Sequence, residues 1–89
     1  MRQVIFKNSF KKSLKKAEKR GKNPEKLFAI ITLLAETGTL PPKNKPHKLS
    51  GNRAGEWECH IEPDWLLIYI IDDKFLTLIE TGTHSDLFE

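Results

Sequence analysis

Trp57-Glu58-Cys59-His60-Ile61-Glu62-Pro63-Asp64-Trp65-Leu66-Leu67-Ile68-Tyr69-Ile70-Ile71 holds two strands and the proline that divides them. In the first strand, read over 56–62, Trp57, Cys59 and Ile61 point to one face and Glu58, His60 and Glu62 to the other. The first set is apolar and suits a core; the second is entirely ionisable. Pro63 cannot donate to a ladder and ends the strand, which leaves Asp64 in the connection. Residues 66–71 are apolar on both faces, as a central strand covered on both sides must be. A histidine and an aspartate a few residues apart at the rim of a sheet can carry acid–base chemistry. They are equally at home as a solvated strand residue and a turn residue, so the rest of the chain has to decide.

Downstream, Asp72-Asp73-Lys74 reads as a hairpin turn and 75–80 as the returning strand. Thr81-Gly82-Thr83 leaves that strand, and 84–88 reads as a tail with the third histidine. Upstream, 40–53 is irregular: Pro41, Pro42 and Pro46 exclude regular structure, Gly51 offers a turn, and Leu49 anchors the loop that carries His47. Before it lies a helix with Asn23 as its cap, Pro24 at the first position and Glu25 at the positive end of the dipole. Leu27, Ile30, Ile31 and Leu34 give it an apolar stripe, and Gly38 closes it.

A first helix spans 9–20, with Asn8 or Ser9 as cap and Gly21 as stop. Phe10, Leu14 and Ala17 share one side; Lys11, Lys12, Lys15, Lys16, Lys19 and Arg20 occupy the opposite half. A short strand over 3–6 precedes it. The expected fold is therefore α+β: two N-terminal helices packed on a small, mostly antiparallel four-stranded sheet, in one domain over 1–89.

The 89 residues contain one cysteine, so no intrachain disulfide forms, and an inward-facing Cys59 suits a reducing cytosol. The apolar patch at 4–6 is far too short for a signal or a membrane span, and a cytoplasmic location is expected. Residues 1–53 carry 14 Lys and Arg against 3 acids, and 54–89 carry 1 against 9. That division points to a polyanion as partner of the first half.

His47, His60 and His84 show none of the close ligand pairs typical of zinc, and Cys59 and His60 face opposite ways on one strand, so no metal is expected. There is no phosphate-cradling glycine loop and no nucleophile elbow. A lysine face grips phosphates but reads bases poorly, which disfavours a DNA-reading helix. RNA cleavage needs less: a base for the 2′-hydroxyl, an acid for the leaving 5′-oxygen, and cations or donors for the phosphorane. Histidine suits either proton transfer because its unperturbed pKa lies near neutrality. No cofactor is needed.

The strings His47-Lys48-Leu49-Ser50-Gly51, Glu58-Cys59-His60-Ile61-Glu62-Pro63-Asp64-Trp65-Leu66-Leu67-Ile68-Tyr69 and Thr81-Gly82-Thr83-His84-Ser85-Asp86-Leu87-Phe88 resemble YafQ-type toxins of the RelE superfamily. Three separated motifs in the right order make the resemblance specific, and it covers essentially the whole chain. It implies the toxin half of a type II toxin–antitoxin pair: an mRNA endonuclease that enters the A site of the 70S ribosome and cuts by metal-independent acid–base chemistry. It also implies a DinJ-like ribbon-helix-helix antitoxin, with operator DNA met only through that partner, and no membrane.

The family's functional positions fall on His47, His60, Asp64, Trp65, His84 and Phe88. By this resemblance His84 is the general acid, and Asp64 or His60 is the base or its orienting partner. His47 donates to the phosphate, Phe88 stacks on a base, and Trp65 stacks or walls the site. The basic face of the first helix, Lys11, Lys12, Lys15, Lys16, Lys19 and Arg20, meets ribosomal RNA. Two positions depart from the family pattern: Trp57 and Glu80 stand where relatives often carry Arg. Glu80 either faces the site or pairs with a lysine such as Lys48 or Lys74. The competing reading is a catalytically weak toxin-fold module that grips RNA, ribosome or antitoxin.

Overall fold

The apolar run 66–71 lies at the centre of a sheet. In the computed structural model, which describes residues 1–88, the elements follow in the order β1 (Gln3–Phe6), α1 (Asn8–Lys19), α2 (Pro24–Thr37), β2 (His47–Lys48), β3 (Trp57–Glu62), β4 (Trp65–Ile71), β5 (Phe75–Gly82) and α3 (His84–Phe88). The strands are arranged β1-β5-β4-β3-β2, so β4 has a neighbour on each side. Its odd-numbered side chains Trp65, Leu67 and Tyr69 join Phe10, Ala17, Leu27, Ile31, Leu34, Cys59, Leu76 and Leu78 in the main core under α1 and α2. Its even-numbered Leu66 and Ile68 form a second, smaller cluster with Leu87 of α3, against which Leu49 and Ile79 pack.

The sheet has five strands rather than four, and it is mixed. β1 runs parallel to β5, with Val4 opposite Leu76; the other pairings are antiparallel. Alternation along 3–6 marks a strand but carries no information about its direction relative to a partner far along the chain. The fifth strand is the two-residue β2, where His47 pairs with Glu58 and Lys48 with Trp57. Two residues after a proline are too short to leave a periodic signal. Two 3₁₀ turns, Pro42–Asn44 and Gly51–Arg53, give the proline loop the rest of its order.

Asn23 caps α2 as expected, its side chain accepting the Glu25 N–H at 3.0 Å. Gly38 ends α2 at φ 77°, a left-handed backbone conformation that favours glycine. α1 starts differently from expectation: neither Asn8 nor Ser9 caps it, and its N-cap is Lys7 without a side-chain bond. The Ser9 hydroxyl is committed elsewhere, donating to the Ile79 carbonyl at 2.6 Å and tying α1 to β5. The segment 84–88, read as a tail, is the helix α3. Among the described residues no helix is long and apolar enough to cross a membrane.

A slip in register between His60 and Glu62 turns Glu62 away from the polar face it shares by alternation with Glu58 and His60. A bulge of this kind re-aims the side chains that follow it. Glu62 reaches the helical layer, where Lys22 and Lys26 each donate to it at 2.9 Å.

The core encloses one polar knot. The Trp65 indole N–H donates to the Thr81 hydroxyl at 2.9 Å, and that hydroxyl donates to the Leu66 carbonyl at 2.6 Å. The Thr81 N–H in turn donates to the Ser13 hydroxyl at 3.0 Å. Trp65 is only 1% exposed, so it cannot offer a ring to a base or wall a substrate; its expected place at the site is corrected to a core role. The isosteric Thr81→Val should leave the indole N–H buried without an acceptor. It should lower unfolding free energy by about 1–3 kcal/mol, read by denaturant titration. A loss below a few tenths would mean the knot is dispensable.

Candidate active site

The site forms on the sheet face away from α1 and α2, where neighbouring strands bring distant residues onto common rungs. One rung runs His47, Glu58, Ile68, Glu80, and the next His60, Leu66, Gly82. Glu58 is 5% exposed, and its Oε1 lies 3.5 Å from the Nε2 of both His47 and His60. His47 Nδ1 meets the Lys45 carbonyl at 2.9 Å and His60 Nδ1 the Pro63 carbonyl at 3.3 Å. Carbonyls only accept, so each Nδ1 carries the proton and each Nε2 is left towards the carboxylate.

His84 follows the same plan on a different element. Asp64 Oδ1 accepts both the His84 backbone N–H at 3.0 Å and its Nδ1 at 2.6 Å. These two bonds, the backbone one first, hold the Asp64 carboxyl below its usual range. An ionised Asp64 fixes the proton of His84 on Nδ1 and leaves the other ring nitrogen free. The His84 and His60 rings are 5.7 Å apart between centroids. Three imidazoles from β2, β3 and α3 are thus each tied back through Nδ1.

Glu58, His60 and His84 each offer a ligand atom within 4.8 Å of the others. This donor set fits a transition metal, which the sequence spacing did not suggest. Cys59, next to His60, takes no part: it lies in the main core, and burial pushes its thiol up to about 12.

α3 is held by side chains rather than by length. Thr83 and Asp86 form a capping box: the Asp86 N–H donates to Thr83 Oγ1 at 3.1 Å, and the Thr83 N–H donates to Asp86 Oδ2 at 3.0 Å. Arg20 donates to both oxygens of Asp86 at 2.6 and 3.2 Å, and Lys16 adds a bond at 3.2 Å. Arg20 foremost, then the Thr83 N–H, holds the Asp86 carboxyl far below the ordinary carboxylate range. Gly82 is required here, since a Cβ would lie 2.9 Å from Asp86 Oδ2. The expected ribosomal face of α1 is therefore divided. Lys16 and Arg20 serve α3, while Lys11, Lys12, Lys15 and Lys19 stay exposed with no ion pair among the described residues.

Glu80 pairs with neither lysine proposed for it. Arg53, from the turn Gly51–Arg53, donates to Glu80 at 2.8 Å, to Glu56 at 2.8 Å and to the Leu87 carbonyl at 3.4 Å. Its guanidinium lies 5.5 Å over the Phe88 ring. Trp57 stacks on Tyr69 against the main core, with centroids 6.4 Å apart, on the face opposite the histidines. Sequence reasoning overlooked Glu58, Arg53 and Asp86. The Thr83-x-x-Asp86 spacing is a legible capping-box signal. Alternation puts Glu58 on the face of His60 but does not show that His47 joins it from another strand. Nothing in the sequence marks Arg53, whose partners Glu80, Leu87 and Phe88 come from distant elements.

Residues 2–89 match the model of a family described as the bacterial toxin of a type II toxin–antitoxin system, YafQ. The mRNA interferase toxin YafQ of Escherichia coli (strain K12) is 42% identical over 88 residues, 98% of this chain and 96% of that protein. The toxin in the crystal structure of the E. coli DinJ-YafQ complex superposes with a TM-score of 0.91 at 40% identity, over 100% of both chains. A copper-bound mutant toxin from Helicobacter pylori gives 0.92 at 35% identity, over 99% of this chain and 100% of that one.

The Asp86 clamp has a pH signature. Its folded pKa is depressed, so its contribution is complete above the unfolded value of about 4 and is lost as pH falls below it. Lys16 and Arg20 are 59% and 43% exposed, so solvent screens the ion pairs and the capping bonds carry most of the effect. Asp86→Asn should cost about 1 kcal/mol at pH 7, and the gap to wild type should shrink towards pH 2.5. Denaturant titrations at both pH values test this; an equal gap at each would exclude the carboxylate charge as its source.

Proposed function

The chain belongs to the YafQ family of type II toxin–antitoxin toxins, and from that premise we propose that it is a ribosome-dependent mRNA interferase with His84 as its general acid. The observation that carries this reading is the Asp64–His84 bond at 2.6 Å. A carboxylate on Nδ1 fixes the imidazole's tautomer and orientation and stabilises the imidazolium, the form able to protonate a leaving 5′-oxygen. Both contacts of Asp64 Oδ1 go to His84, which makes Asp64 the orienting partner rather than the base. The base is then His60: its Nε2 takes the 2′-hydroxyl proton, and the buried Glu58 at 3.5 Å balances the charge that forms. His47, on the far side of Glu58, donates to the phosphate once protonated, and Phe88, 45% exposed, stacks on a base.

The proton transfers need no metal or cofactor. Glu58, His60 and His84 would hold an ion if one bound, and it would supply Lewis acidity while occupying the same imidazole nitrogens. The reading as a weak binding module rested on two missing arginines, with Trp57 and Glu80 in their places. Trp57 packs on the face opposite the histidines, and Glu80 is paired with Arg53 rather than standing free against a phosphate.

The toxin works in the cytoplasm, in the A site, where Lys11, Lys12, Lys15 and Lys19 meet ribosomal RNA phosphates. Its partner is a DinJ-like ribbon-helix-helix antitoxin, and operator DNA is reached only through it.

On programmed ribosomes, single-turnover cleavage by His84→Ala should fall ~10²–10⁴-fold and by Asp64→Asn somewhat less, with folding preserved. An undiminished rate for His84→Ala would remove it as the acid. Lys11, Lys15 and Lys19 all changed to Glu should weaken ribosome binding and flatten its salt dependence, because fewer counterions are released. An unaltered salt slope would assign that face to another partner.

A further inference from the structure

Arg53 is engaged on four sides, although nothing in the sequence singles it out. Nη1 donates to Glu56, Nη2 donates to Glu80 and to the Leu87 carbonyl, and the guanidinium plane covers the Phe88 ring. Its side chain is 24% exposed, and Glu80 leads the causes that raise its pKa. It joins three separate parts of the fold: the turn Gly51–Arg53, β5 and the last turn of α3.

Phe88 needs such a partner. It ends a helix of five residues, too short to hold its own conformation. Leu87 beside it turns into the small cluster with Leu66 and Ile68, while Phe88 stays 45% exposed. Among the described residues Arg53 is the cation stacked on that ring, and no aromatic pair involves it.

We propose that Arg53 is a positioning residue for Phe88: held by Glu80 and Glu56, its guanidinium closes one face of the ring and presents the other to a nucleobase of the mRNA. Glu80 is then the anchor of the platform rather than a charge aimed at the scissile phosphate. The base-stacking half of this proposal rests on the function proposed above. A direct phosphate role for Arg53 is disfavoured by charge: two carboxylates on one guanidinium leave the group net negative. A fork already bonded to two carboxylates and a carbonyl also has little left to offer.

The test is a double-mutant cycle on ribosomes programmed with an mRNA containing a cleavable codon, with KM and kcat measured separately. Phe88→Ala should raise KM about 10-fold, in the range of one lost base–aromatic stack, and Arg53→Ala about 3–10-fold. In both cases kcat should stay within about 2-fold, unlike His84→Ala, because the proton transfers are elsewhere. Arg53→Ala combined with Phe88→Ala should be no worse than Phe88→Ala alone, since residues acting through one another are not additive. Arg53→Lys should not restore KM, because it keeps the charge and loses the planar fork. Glu80→Gln should show a smaller rise that vanishes in the Arg53→Ala background.

In the free protein, Phe88 ring resonances should shift in Arg53→Ala and Glu80→Gln while thermal denaturation shows both variants folded. Multiplying effects on KM, or rescue by Arg53→Lys, would overturn the proposal in favour of direct phosphate contact. A wild type that cuts nothing would overturn the proposed function and the base platform with it. In that event an unchanged Phe88 spectrum in Arg53→Ala would also overturn the positioning of the ring.

Discussion

Enclosure of β4 from Trp65 to Tyr69, before the strand emerges at the 41% exposed Ile70, is the constraint on which the other elements depend. Leu66, Leu67 and Ile68 have no exposed surface at all, and adjacent side chains on a strand point in opposite directions. Two separate covers are therefore required. On one side α1 and α2 supply a full layer, with Phe10, Ala17, Leu27, Ile31 and Leu34 facing Trp65, Leu67 and Tyr69. On the other side, cover for Leu66 and Ile68 comes from Leu87 of one short helix, with Leu49 and Ile79 packed alongside. The stability of the domain resides mainly on the first side, where most of the apolar area is removed from water. The second side is left thin enough for polar groups to gather.

That asymmetry explains how the active face is built. A five-residue helix cannot be fixed by its own hydrogen bonds, and one leucine beneath it is a small anchor. Three polar clamps supplement that anchor. Asp64 holds the first residue of α3 through the His84 N–H and ring. Asp86 closes the capping box and ties α3 to α1. Arg53 binds the last turn through the Leu87 carbonyl and the Phe88 ring. The first clamp also orients the histidine proposed as the acid, so the groups that secure the cover also set the geometry of the chemistry.

The parts of this arrangement legible in the sequence were those set by local pattern. The apolar run 66–71, the caps at Asn23 and Gly38, the stripe of Phe10, Leu14 and Ala17, and the turn at Asp72 are decided by neighbours within a few residues, and the structure bears them out. What stayed hidden depends on pairing across the chain. The parallel register of Val4 with Leu76 leaves no trace in either segment. His47 meets Glu58 because a two-residue strand docks on β3, and Arg53 meets Glu80 across 27 positions. Trp65 shows the converse: its motif places it beside Asp64, but alternation along β4 sends its side chain into the core. A residue can neighbour the site in sequence and face away from it.

The division of charge also reads differently in three dimensions. The basic first half and acidic second half suggest a chain polarised for an external polyanion, yet much of that charge is matched internally. Lys22 and Lys26 meet Glu62, Lys16 and Arg20 meet Asp86, and Arg53 meets Glu56 and Glu80. Each of these pairs joins the two halves, and each lies at a place where the backbone needs fixing: the bulge after His60, the start of α3, and its end. The cations of α1 without such a partner among the described residues, Lys11, Lys12, Lys15 and Lys19, are on the exposed side of the helix. Fixed pairs are already neutralised and contribute little to long-range attraction, so attraction to a polyanion falls to residues whose counter-ions are still mobile. The strength of the net charge therefore says less about binding than the position of these four lysines, which is set by the stripe of Phe10, Leu14 and Ala17 that turns them outward.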